Sequence, residues 1–181
     1  MPSPFLDAAI AHFKALASPQ NLSEAKHLLA NQSDIYFWLG VASDSLGAKN
    51  EARKHWRAAA NFKGDFQEMS VRSFSEMTYY SARSREKLGQ KAKAKKLFRD
   101  LLTYGRQLQR TKARIDYFAT SLPAMLLFND DLQFRQETAG LFLQAQAQLG
   151  LGKKSAARKL LTIVLRRDPN HAMAADFFES F

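Results

Sequence analysis

One short pattern recurs in this chain and narrows what it can fold into. In residues 46–59, LGAKNEARKHWRAA, Leu46-Gly47 is followed by Ala52 and then by Trp56 and Ala59. Glycine just past an apolar stretch ends a helix, because it enters the left-handed backbone region without a side-chain clash. The small, large and small residues that follow at helical spacing give the next helix one close-packing face. Helix, tight turn and helix make a hairpin. The pattern returns as Leu88-Gly89, Ala94, Phe98 and Leu101, and more loosely as Gly152, Ala157, Leu161 and Val164, where Asp168-Pro169-Asn170 closes the unit. Three copies imply a repeat protein, in which each hairpin covers the apolar face of its neighbour. Gly47 and Gly89 are 42 residues apart and Gly89 and Gly152 are 63 apart, so the repeats are interrupted and not tandem.

The remaining sequence fits the same plan. With 8 Gly, 5 Pro and no long apolar-polar alternation, helix is the default. Phe5, Leu6, Ala9, Ile10, Phe13 and Leu16 predict a leading helix over 5–17, opened by Pro4 and ended before Pro19. Ser33 or Asp34 is expected to cap a helix reaching about residue 46, and its partner covers about 49–62. Residues 61–75, NFKGDFQEMSVRSFS, are aromatic yet polar. They read as an ordered crossing with one helical turn near 65–71. Helices are expected over 76–88 and 91–109, the 110–131 stretch breaks the rhythm, and Asn129-Asp130-Asp131 can cap a helix over 132–149. Helix 153–167 pairs with it, and a short helix over 172–178 closes the array. In that last helix Phe177 or Phe178 is expected to pack inward against Leu161 and Val164, with Phe181 less buried.

These residues resemble the tetratricopeptide repeat, whose unit places small and large residues where two helices must approach closely. Leu39-Gly40, Ala52, Trp56 and Ala59 match the first unit, with Gly64 in place of the closing Pro. Ala82, Ala94 and Phe98 match the second, with Leu101 for a later Ala. Ala145, Ala157, Leu161 and Pro169 match the third, while Gln144 and Gln148 depart from the usual apolar residues. The resemblance implies an all-α, right-handed superhelix of about three interrupted hairpins, with an N-terminal helix and a capping helix, in one domain over 1–181. The strings at 34–40, 62–69, 74–80 and 116–123 are also similar to the C-terminal repeat region of large bacterial proteins that carry a β-rich, carbohydrate-enzyme-like domain. That likeness implies an accessory domain for a separate carbohydrate-processing enzyme as the alternative to a free-standing scaffold.

No sequence feature points to catalysis. There is no Cys, hence no disulfide, thiolate metal site or Cys nucleophile. His12, His27, His55 and His171 are scattered without ligand spacing, so no metal and no cofactor is expected. Asp65, Glu68, Glu76 and Asp116 lie in aromatic-rich junctions where a carboxylate pair could do glycosidase-type acid and base work, but such residues more often cap helices. No basic leader precedes an apolar core and no apolar run approaches a membrane span. A cytoplasmic, non-enzymatic protein is expected, as monomer or homodimer.

The net charge of +10 is concentrated: residues 83–114 hold 12 Lys+Arg against Glu86 and Asp100, and the rest of the chain holds 15 of each sign. Lys91, Lys93, Lys95, Lys96, Arg99, Arg106, Arg110, Lys112 and Arg114 could track a phosphate backbone. No RNA-binding motif accompanies them, and second helices of such hairpins usually turn a Lys-rich face to solvent. Nucleic acid is therefore the less favoured partner, and a protein or peptide the expected one.

In this family the first helices line the concave face. Counted from Gly40, Ala82 and Ala145, the resemblance implies that Phe37, Val41 and Asp44, then Tyr79, Arg83 and Glu86, then Phe142, Gln146 and Leu149 face the partner. Clamps that hold a terminal carboxylate use Lys and Asn where Phe37 and Val41 stand, which disfavours that ligand. If the register is right, Trp56→Ala empties the centre of the first hairpin and lowers stability by about 3–5 kcal/mol, measurable by denaturant unfolding.

Overall fold

The computed structural model describes residues 10–11, 30–67, 70–113 and 131–180. In chain order they form α1 (Ser33–Ser45), α2 (Lys49–Asn61), β1 (Asp65–Gln67), β2 (Ser70–Arg72), α3 (Thr78–Lys87), α4 (Lys91–Arg110), α5 (Leu132–Gly150), α6 (Lys154–Arg167) and α7 (Ala172–Glu179). The fold is all-α and tetratricopeptide-like, apart from one two-stranded ribbon. Residues 10–11 are helical, as expected of the leading segment. The rest of that segment, most of the 110–131 connection and Phe181 lie outside the described residues.

The three Leu-Gly and Gly signals become one device used three times. Gly47, Gly89 and Gly152 have φ of 79°, 78° and 78°. At each turn the glycine N–H donates to a carbonyl of the last helical turn, and the next residue's N–H reaches the carbonyl one residue further back: Gly47 to Asp44 and Ala48 to Ser43, Gly89 to Glu86 and Gln90 to Arg85, Gly152 to Leu149 and Lys153 to Gln148, all at 2.8–3.0 Å. This double bond satisfies carbonyls that the helix end leaves open and turns the chain into the next helix.

Two compact units result. In the first, which runs to Leu97 apart from residues 68–70, α1 packs on α2, and α3 packs on both. Its centre is Phe37, Ala52, Trp56 and Ala59, with Tyr36, Val41, Tyr80 and Leu88 around it. Gly40 permits this: a Cβ there would stand 2.3 Å from Trp56 Nε1. The indole N–H itself donates to Phe37 O at 3.3 Å, so the ring is buried without an orphaned donor. Arg85 Nη2 donates to Ala60 O at 2.7 Å and caps the end of α2 from α3.

The second unit, from Phe98 onward with residues 68–70, uses the same rule of small against large. Gly150 lies against the ring of Phe98, where a Cβ would be 2.3 Å from Cε1. Gly105 of α4 and Gly140 of α5 cross backbone to backbone: a Cβ on either would come within 2.9 Å of the other's carbonyl oxygen. Gln144, which departs from the apolar pattern, flanks this crossing and donates to Gln109 Oε1 and Gly140 O. Gln136 Nε2 donates to Leu108 O at 2.9 Å and Thr111 O at 2.6 Å, capping the end of α4. The expected third cap holds too, with Asp131 Oδ1 accepting from Phe134 N at 2.9 Å.

Three expectations change. The junction near 65–71 is a β-ribbon, not a helical turn. Gly64 takes a left-handed φ of 66°, which breaks helical propagation, and the Asp65 carboxylate accepts from Asn31 N at 2.8 Å while Asn31 Nδ2 donates to Gly64 O at 2.9 Å. These bonds hold the chain in an extended course. Second, neither Ser33 nor Asp34 caps α1: the Ncap is Gln32 with no side-chain bond. Ser33 Oγ instead donates to Met77 O at 2.6 Å, tying the start of α1 to the start of α3. Third, α3 begins at Thr78 and not at 76, because Ser75 Oγ accepts from Met77 N at 3.2 Å and Thr78 Oγ1 from Ser75 N at 3.0 Å, which shapes a turn there.

Two glycines of one hairpin should fail for different reasons. Gly40→Ala drives a methyl into the Trp56 ring and should destabilise by about 1–3 kcal/mol through overpacking. Gly47→Ala meets nothing within 4 Å and should lose only the left-handed backbone term of about 1–2 kcal/mol. Pairing each with Trp56→Leu in unfolding experiments separates them: the smaller side chain should relieve Gly40→Ala and leave Gly47→Ala unchanged.

Candidate interaction surface

The positions expected to face a partner lie on the first helices of the hairpins, α1, α3 and α5. In the first unit α1 contacts α3 directly, and the rings of Phe37 and Tyr80 bridge them with centroids 5.7 Å apart. Of the α1 positions expected to face a partner, Val41 is half-buried and Asp44 exposed. Phe37, at 6% exposure, belongs to the core beside Trp56. The aromatic that reaches the surface is Trp38, 44% exposed and set edge-on to Phe37 at 5.1 Å. Adjacent helical positions point about 100° apart, so when Phe37 turned inward its neighbour turned out. Trp38 lies three residues before Val41, and Val41 three before Asp44, so the three share one face of α1.

On α3 the expected positions form a small polar cluster. Arg83 Nη1 donates to Glu86 Oε2 at 2.7 Å, with both side chains partly exposed. Tyr79 is buried at 9% exposure. Burial pushes its phenol above the ordinary tyrosine value; Arg83 nearby pulls it down and Glu86 pushes it up. On α5 two of the three expected positions are buried. Phe142 and Gln146 are each 0% exposed and Leu149 is half-buried. Phe142 meets Phe177 of α7 edge-on at 5.7 Å and His171 at 4.5 Å. The closing helix thus covers Phe142, one of the α5 positions expected to meet a partner.

The side chains of possible chemical interest serve the fold. His171 is the Ncap of α7, its Nδ1 accepting from Ala174 N at 3.2 Å. Asp65 is buried on the Asn31 backbone. Glu68 and Asp116 lie outside the described residues. Among the described residues no three His, Cys, Asp or Glu side chains are grouped to hold a metal, and no described helix is long and apolar enough to cross a membrane.

A tetratricopeptide repeat family model matches residues 77–104 and 139–171. These matches fall on the hairpins α3–α4 and α5–α6, and the same glycine turn joins α1 to α2. No solved structure matches the chain. The chain is a tetratricopeptide-like helical-repeat protein, and such repeats serve in general as scaffolds for protein interaction.

The Tyr79 environment gives a sign for alkaline stability. Because the folded phenol ionises above 10.0, its contribution is complete below the ordinary tyrosine range and is lost as pH rises through the folded value. Wild type should therefore lose more stability than Tyr79→Phe between about pH 9 and pH 11, read as the difference between their unfolding curves.

Proposed function

We propose that this chain is a non-catalytic scaffold that takes a protein or peptide partner on the first-helix face of its first two hairpins. The observation that carries the reading is the exposed indole of Trp38. It shares the α1 face with Val41 and Asp44, while the other aromatic rings described in the first unit are buried or half-buried. Exposed Trp and Arg side chains are the types that most often dominate binding energy at interfaces. Trp38 would seat against an apolar side chain of the partner, and Asp44 with the Arg83–Glu86 pair would supply polar contacts at its edge. The likeness of residues 34–40, 62–69 and 74–80 to repeat regions of larger bacterial proteins supports a narrower version, in which the partner is a separate carbohydrate-processing enzyme or domain.

Trp38→Ala removes a large surface contact and little core, so helicity and unfolding midpoint should change little. Together with Arg83→Ala it should weaken binding to a partner recovered by affinity capture at least about tenfold, measured by titration calorimetry. Equal affinity in the double variant would move the interface off this face.

A further inference from the structure

The basic segment of the chain divides sharply once its side chains are placed. Arg83 pairs with Glu86, Arg85 caps α2 through Ala60 O, and Lys87 stands over the Trp56 ring at 5.3 Å. In the second basic cluster Arg158 lies over Phe178 at 4.9 Å and Arg167 binds Glu137 at 2.9 Å. Lys91, Lys95, Arg99, Arg106 and Arg110 of α4 are different. All five are exposed, and none of their side chains makes a hydrogen bond, ion pair or ring contact among the described residues.

These five fall within roughly 100° of arc on one helix, at 100° per residue, and form a row about 28 Å long at 1.5 Å per residue. The arrangement works against the helix that carries it. Like charges at i,i+4 repel, and 91/95, 95/99 and 106/110 are such pairs. Lys91 also stands in a first turn that holds no acid, where the helix dipole disfavours a cation. Local rules broken without a compensating contact in the fold mark a surface kept for something else.

We infer that this row on α4 is an electrostatic docking surface for an acidic α-helix of the protein partner, one with carboxylates at i,i+4. The inference rests on the scaffold reading above and names the chemistry of the partner. Carboxylates so spaced on a helix repeat every four residues, about 6 Å, the same interval as most of the cations. A single nucleic-acid strand fits worse, because it calls for aromatic stacking platforms, and the exposed large apolar residues described, Trp38, Val71, Phe134 and Ile163, all lie off α4. A duplex also fits worse. Its backbone completes a turn in about 34–36 Å, so over the length of a straight 28 Å row each strand winds most of the way round the axis. With no apolar anchor on the row, the contact steers and orients a partner more than it holds one.

The test uses the full chain and two synthetic helical peptides of equal composition, one with five Glu aligned as offsets of the cation row and one with the same Glu spread around the helix. Fluorescence anisotropy at about 25 mM salt should show the aligned peptide binding at least about tenfold tighter, with the difference shrinking at about 150 mM as charges are screened. Replacing Lys91, Lys95, Arg99, Arg106 and Arg110 together by Gln should remove this preference and raise the thermal midpoint, since Gln keeps helix propensity and relieves repulsion. Lys153→Gln with Lys154→Gln and Lys159→Gln should leave the preference intact. Equal binding of the two peptides, an unchanged preference in the five-fold variant, or a lowered midpoint would overturn the inference. So would tighter binding of an arbitrary 20-base-pair duplex than of the aligned peptide. Loss of the native partner on Trp38→Ala with peptide preference retained would separate the first-helix face from this row.

Discussion

The close approach of Gly40 to Trp56 is the contact on which the first hairpin depends. An indole is large enough to fill the space between two antiparallel helices only if the facing backbone carries no side chain. The missing Cβ provides that space, and the Phe37 carbonyl takes the indole N–H. Buried tryptophan without such an acceptor would forfeit part of what its apolar surface contributes. The second unit solves the same problem with Phe98 against Gly150, where no donor needs a partner, and with Gly105 against Gly140, where backbones meet. Packing in these hairpins is a matter of placing absences of side chain opposite large rings or a neighbouring backbone, which explains why a chain with only 8 glycines puts four of them, Gly40, Gly105, Gly140 and Gly150, inside helices at contacts.

Periodic features were legible in the sequence for this reason. Leu-Gly at a helix end means the same local geometry wherever it occurs, and all three turns carry the same left-handed glycine and the same pair of backbone bonds. Asp131 is likewise a local device and was visible before the helix it caps. The ribbon at residues 65–72 was not, because the carboxylate that holds it bonds to Asn31, 34 residues away, and no spacing rule links the two. Ser33 misled in the same manner: a side chain that locally looks like a cap is drawn off by the Met77 carbonyl, 44 residues distant.

The candidate surface was legible only in outline. Family geometry gives which helix faces a partner, but not which of two adjacent aromatics the core will accept. In Tyr36-Phe37-Trp38 the core took the phenyl ring, which is buried in one cluster with Trp56, and Trp38 was left outside. Nothing in the local sequence distinguishes those outcomes, because both rings are apolar and their positions differ by one helical step.

At the third hairpin the chain supplies its own occupant. A repeat array must cover the apolar edge of its last hairpin, and α7 does so by setting Phe177 against Phe142 while Ala174 is fully buried. His171 begins that helix as its cap and sets its ring at a tilt against Phe142 as well, so the turn that starts the cover and the face being covered are joined through one side chain. A capping helix that seats an aromatic where a following repeat would place one serves stability first. Phe142 of α5, which the repeat pattern assigns to a partner, meets the closing helix instead, and Gln146 is fully buried, so the surface we propose is drawn on Trp38, Val41, Asp44 and the Arg83–Glu86 pair.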